Sequence, residues 1–190
     1  MSSRLPLLDP QDMNDAQRVV YDDIMSGARG SIQGPFNPWL RSPELADRAQ
    51  KLGEYCRFNT ILGPRLSEIA ILLTALHWQS QFEWYAHAGL ALDAGHTEDT
   101  IATIKAGERP DFGDDKESMV FDYARELIAN GRVSDETHQS AVAQLSEQGV
   151  VELVGVIGYY MLVSLTLNAF HVPLPEGVTQ PFPDGLPAES

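Results

Sequence analysis

Cysteine is nearly absent. Cys56 is the only one in 190 residues, so an internal disulfide framework and a Cys-x-x-Cys redox centre are both excluded. Basic residues are scarce too: 13 against 27 acidic ones, for a formal charge of −14. A surface this acidic repels phosphate backbones and anionic membranes, which argues against nucleic acid or a membrane as partner. The first residues, Met1-Ser-Ser-Arg-Leu-Pro, hold no apolar run of signal-peptide type, and the expected compartment is the cytoplasm. No internal repeat or low-complexity tract is found. Valine and isoleucine nowhere alternate with polar residues for long enough to write a strand. No His-x-x-x-His or His-x-His pair occurs, so no metal site is expected.

What is present is apolar material at helical spacing. Hydrophobic residues make up 43% of the chain and charged ones 21%, enough for a core. The length suits one domain over 1–190. Asn14 can cap a helix over about 15–27, and Ser42-Pro43-Glu44 places a cap before a proline at a first helical position. Further helices are expected from 43 to about 58, over the long region 64–93, from Thr97 to about Gly107, over 116–130 closed by Gly131, from Ser134 to about 146, and over 150–170. That is about seven helices in an all-α fold. Residues 173–190 carry five prolines and two glycines. Proline denies both helix and central strand, so this segment reads as an irregular arm that either lies across a neighbouring subunit or is disordered.

The last helix contains 18 residues without a charge, Leu153–Phe170, at the lower edge of membrane-spanning length. It also holds Tyr159, Tyr160, Ser164, Thr166 and Asn168, with no Lys or Arg flank to set a topology. A buried core helix or a subunit interface is the expected role. A homo-oligomer, dimer to hexamer, follows as the expectation for assembly.

The chemistry concentrates in one segment. Glu83 and His87 are four residues apart, hence neighbours on a helix face, and a carboxylate beside an imidazole makes a proton-transfer pair. Glu68 lies 19 residues before His87, about 28 Å away on one straight helix. The three can meet only if the helix breaks. Ser80-Gln81-Phe82-Glu83 fits a capping box, which would split the region into helices over about 65–78 and 81–94. An antiparallel return then brings Glu68 towards Glu83 and His87. The same box permits a plainer reading, with Glu83 a cap residue and His87 an ordinary core histidine. Trp84 and Tyr85 are candidate pocket walls, and Asn168 and His171 candidate contacts from the last helix. Arg57 or Arg65 could hold a substrate carboxylate through a two-pronged hydrogen bond. His77 is expected to be structural or exposed, His96 and His138 at the surface.

In order and spacing these residues resemble the carboxymuconolactone decarboxylase/alkylhydroperoxidase D-like superfamily. Arg65 and Glu68 match the start of its core pattern and His87 its end. Gly34–Leu45 resembles the family's lead-in, Gly95–Ile101 its continuation, and Glu152, Tyr159, Tyr160, Met161 and Asn168 its last helix. The likeness covers about 30–172 and implies that family's helical fold. The two cysteines of its Cys-x-x-Cys-x-x-x-His element fall on Ser80 and Glu83. Serine and glutamate cannot form the sulfenate or disulfide of a thiol peroxidase. Resemblance to the cysteine-free branch implies instead a cofactor-free lyase or isomerase acting on a small cyclic, carboxylated substrate of aromatic catabolism. Its catalytic residues would be Glu68, Glu83 and His87. The alternative is a non-catalytic helical binding or assembly protein that retains the fold.

Overall fold

The computed structural model describes residues 3–28 and 30–182. Among them every regular element is a helix. The α-helices are α1 (Asp15–Ser26), α2 (Phe36–Trp39), α3 (Pro43–Glu54), α4 (Gly63–His77), α5 (Gln81–Asp93), α6 (Glu98–Lys105), α7 (Asp115–Asn130) and α8 (Asp135–Ala169). The all-α expectation holds. The described helices number eight because the region 64–93 divides into α4 and α5 and the single turn α2 is added, while the last two expected helices run together as α8.

Local signals set most boundaries. Asn14 and Gln17 form a reciprocal capping box on α1. Thr97 accepts from the Thr100 N–H, Asp114 from Lys116 and Glu117, and Ser134 from Thr137; each satisfies donors that a helix start leaves orphaned. Ser42 differs, since its side chain makes no cap bond. At the far end of α3 the backbone widens into a π-helical turn, Tyr55–Asn59. Such turns are rare and often sit at functional sites; here it carries Arg57. The last two expected helices are the two arms of α8, broken at Ser146, where φ is 69°.

α4 occupies the centre, packed on α5, α7 and α8. Ile69, Ala70, Ile71, Leu72 and Ala75 are almost wholly buried, as a helix apolar all round requires. The uncharged run of α8 is a core helix: 61% of its most apolar window is buried. Two of its polar side chains, and Glu152 just before it, bond inside the fold. Trp39 Nε1 donates to Thr166 Oγ1 at 3.1 Å, and Asn168 Nδ2 to the Trp78 carbonyl at 2.6 Å. Glu152 accepts from the Tyr55 hydroxyl at 2.6 Å and the Ile61 N–H at 2.7 Å.

The C-terminal arm corrects its expectation over the residues described. Within the described part, residues 173–180 border a groove with Gln81, Phe82, Leu167 and Asn168 of this chain, and Phe182 is held on α5. Gln81 and the Phe182 backbone exchange two hydrogen bonds, at 2.5 and 2.9 Å, and the Phe182 ring packs edge-on against Trp84 at 5.3 Å. Two amide bonds and a buried aromatic ring explain why a proline-rich strand without helix or sheet partners is held there. Residues 183–190 of the expected arm lie outside the described residues.

One clamp fixes α4 relative to α7. Arg65 forms an ion pair with the buried Glu117 through its Nε, and its Nη2 donates to the second carboxylate oxygen at 3.3 Å. His96 is buried beside it, with Nε2 2.8 Å from the Arg65 carbonyl. This corrects the surface position expected for His96 and removes Arg65 from the substrate-binding candidates. Gly95 makes room for the clamp: its φ is +95°, and a Cβ there would stand 2.7 Å from Arg65 Nη1. Gly95→Ala adds left-handed strain and pushes the guanidinium away. The expected loss is about 1–3 kcal/mol, read from urea unfolding. A loss no larger than that of an alanine at an exposed helix position would show that Arg65 adjusts freely.

Candidate active site

The break between α4 and α5 is built by backbone. Gln79 takes φ +48°. Its N–H bonds to the Leu76 carbonyl and the Ser80 N–H to the Ala75 carbonyl, at 3.0 and 2.9 Å, the paired bonds of a Schellman cap. The expected capping box is absent. Ser80 makes no side-chain cap bond, and its wholly buried hydroxyl has no hydrogen-bond partner among the described residues. Glu83 is turned away from the helix start, towards the imidazole one turn on.

The turn returns the chain antiparallel and brings three ionisable side chains together in the interior. His87 Nδ1 lies 2.7 Å from Glu68 Oε2 in a hydrogen bond, and His87 Nε2 lies 3.1 Å from Glu83 Oε1. The second contact is within ion-pair distance, but its angle does not make a directed hydrogen bond. Glu68, Glu83 and His87 are 5%, 3% and 5% exposed, so water screens these charges only weakly. Burial by itself depresses the imidazole pKa. The charge attraction of the two carboxylates, with the Glu68 hydrogen bond beside it, overcomes this and raises it from 6.5 to about 9. At neutral pH the ring is therefore an imidazolium held between two acceptors. The Tyr160 ring meets it edge-on at 4.9 Å.

One face of this cluster opens on a cavity of about 200 Å³. Glu83 and His87 line it, together with Arg57, Phe82, Tyr85 and Tyr160; Glu68 stands behind the imidazole and does not. The Phe82 ring reaches its place because Gly34, at φ +74°, has no side chain: a Cβ would come within 3.2 Å of the ring. Arg57 is half-buried at the cavity and makes no ion pair among the described residues; its guanidinium carbon lies 5.1 Å from the Phe58 ring centre. It is thus the cation at this cavity whose charge is not already matched.

The remaining candidates are placed otherwise. Trp84 is buried against Phe182 in the core and does not wall the cavity, because the arm covers its side of α5. Asn168 and His171 line a different groove of about 390 Å³ beside the arm; α8 ends on the far side of Phe82, which lines both spaces. His77 and His138 are exposed, as expected. The aromatic walls Phe36, Phe82, Tyr159 and Tyr160 were not singled out by sequence. Tyr159 and Tyr160 lie more than 70 residues from His87, and only the resemblance of the last helix pointed towards them. No group of three or more His, Cys, Asp or Glu able to hold a metal occurs among the described residues.

No family sequence model and no curated protein sequence matches the chain. Solved structures do. One is an uncharacterised peroxidase-related protein of Ralstonia eutropha JMP134, described as an alkylhydroperoxidase AhpD core. The TM-score is 0.76 at 12% identity, covering 92% of this chain and 93% of that one. An uncharacterised peroxidase-related protein of Silicibacter sp. TM1040 gives 0.70 at 11% identity, covering 94% and 95%. A protein of unknown function from Agrobacterium tumefaciens, described as an AhpD antioxidant-defence protein, gives 0.66 at 16%, covering 75% and 99%. The fold is the AhpD-like helical fold that the sequence resemblance implied.

Proposed function

We propose that the His87 cavity is the active site of a cofactor-free, carboxymuconolactone decarboxylase-like lyase or isomerase. Its substrate would be a small cyclic carboxylated compound, worked on by acid–base chemistry. The observation that carries this reading is the imidazolium held between two buried carboxylates at the wall of a small cavity. Structural roles rarely call for such a cluster, because each buried charge costs several kcal/mol unless compensated, whereas proton-transfer sites depend on shifted pKa values.

The roles follow from position. His87 is protonated at neutral pH, so it serves as the acid and the electrostatic partner of developing negative charge, and not as the resting base. Glu83 faces the cavity with an oxygen free of directed hydrogen bonds, and is the proton acceptor. Glu68, behind the ring, positions His87 and sustains its charge. Arg57 receives a carboxylate. In a decarboxylation, the carbon–carboxylate bond breaks and its electron pair passes to a conjugated carbonyl oxygen of the substrate. Carbon dioxide leaves, the imidazolium stabilises the enolate oxygen and then gives its proton to carbon as the carbonyl re-forms, and water returns a proton to the imidazole by way of Glu83.

A thiol-peroxidase reading lacks its chemistry here. Ser80 and Glu83 occupy the cysteine positions, and Cys56 is buried and lines neither the His87 cavity nor the groove beside the arm. The test offers wild type, Glu83→Gln and Cys56→Ser two substrates, each followed by absorbance. The first is a five-membered carboxylated lactone; the second is cumene hydroperoxide with dithiothreitol. Turnover of the lactone that falls about 10²–10⁴-fold in Glu83→Gln supports the proposal. Dithiol-dependent peroxide turnover that vanishes in Cys56→Ser would overturn it.

A further inference from the structure

Two spaces meet at one side chain. The His87 cavity, about 200 Å³, and the groove beside the arm, about 390 Å³, have separate linings, and Phe82 is the described residue that belongs to both. It stands in the first turn of α5. Its ring is seated against Gly34, where a Cβ would come within 3.2 Å, and meets the Tyr85 ring edge-on at 6.3 Å. The cavity is smaller than the range of about 300–1,000 Å³ common among ligand sites. With the Phe82 ring removed, the groove would be added to it.

The two spaces also differ in chemistry. The cavity carries Arg57, Glu83 and His87. Among the described residues no Asp, Glu, Lys or Arg lines the groove. Two of its amide side chains already bond inside the fold: Gln81 with the Phe182 backbone and Asn168 with the Trp78 carbonyl. Leu167, Val172, Leu174 and Val178 give it apolar walls. A carboxylate suits the cavity, where a guanidinium can receive it. The groove suits an uncharged apolar group, because a charge buried there would find no partner.

We infer that Phe82 is the residue that sets substrate size at this site. With its ring in place, a carboxylate held at Arg57 has no buried room for an apolar extension. Without it, the groove receives one. The inference rests on the reading of the His87 cavity as the active site, and it narrows the substrate to a single small carboxylated ring.

Calorimetric binding of two probes, benzoate and 4-phenylbutanoate, tests this on wild type and Phe82→Ala. The flexible chain of the second probe lets its ring follow the opening. Phe82→Ala should shift the ratio of the two dissociation constants about tenfold towards 4-phenylbutanoate, as burial of a phenyl ring requires. Adding Val178→Trp, which fills the groove from the arm, should cancel that shift. Circular dichroism checks that each variant keeps its helices, and Phe82→Val, a smaller change, carries the same expectation. An unchanged ratio, or a shift that Val178→Trp does not cancel, would overturn the role of Phe82 and leave the reading of the cavity standing, provided that Arg57→Ala weakens benzoate binding. Benzoate that fails to bind wild type, or binds without regard to Arg57, would overturn that reading and this inference with it.

Discussion

Replacing His87 by alanine is expected to lower the unfolding free energy at pH 7 by about 3–5 kcal/mol, the range for removing one partner of a buried ionic cluster. The deleted ring leaves Glu68 and Glu83 facing each other in the interior, both less than 10% exposed, with their compensating charge gone. The lost packing against Tyr160 adds a smaller share. Urea unfolding followed by circular dichroism measures the effect. The electrostatic origin has its own signature: adding Glu68→Gln and Glu83→Gln should recover part of the loss, because the amides no longer repel. A loss near 1 kcal/mol that the two glutamines leave unchanged would reduce His87 to an ordinary core side chain.

Stability should also fall as the solution turns alkaline. The folded-state pKa of His87 is about 9, above the ordinary 6.5, so between those values the native state binds a proton that the unfolded chain has released. The sign is therefore fixed. The contribution is fully present below about pH 6.5 and is lost as the pH rises through about 9. An interval of this size corresponds to roughly 3 kcal/mol at 1.36 kcal/mol per pH unit. Other groups titrate in the same range, so the quantity to measure is the difference between wild type and Glu68→Gln/Glu83→Gln, unfolded in urea at pH 6, 7.5 and 9. Wild type should lose stability steeply while the double variant stays comparatively flat. Parallel curves would mean that the imidazole is neutral in the native protein, and the acid role assigned to His87 would fall with it.

Much of this was legible in the chain because it depends on neighbours in sequence. Asn14, Thr97, Asp114 and Ser134 mark helix starts since a capping oxygen needs only the next few amides. The i, i+4 spacing alone sets Glu83 beside His87. The composition required a helical core, and the uncharged run of α8 required burial of one face at least. The need for a break between Glu68 and His87 was also readable, but the device that makes it was not. Serine and glutamate at the right spacing suggested a capping box, whereas the structure uses a left-handed Gln79, a residue that carries no turn signal of its own.

Tertiary structure decided the rest, because the groups concerned come from distant parts of the chain. Whether Glu68 reaches His87 depends on how α4 packs against α5. Once they meet, burial turns a modest imidazole–carboxylate pair into an imidazolium that survives to about pH 9. Packing likewise assigned Arg65 to Glu117, placed Trp84 under the arm, moved Asn168 and His171 to a separate groove, and brought Tyr160 against His87. Spacing along a helix records only local geometry. Which charge is matched, which is left for a substrate and which aromatic faces the cavity are settled when water is excluded between helices, and no local pattern encodes that.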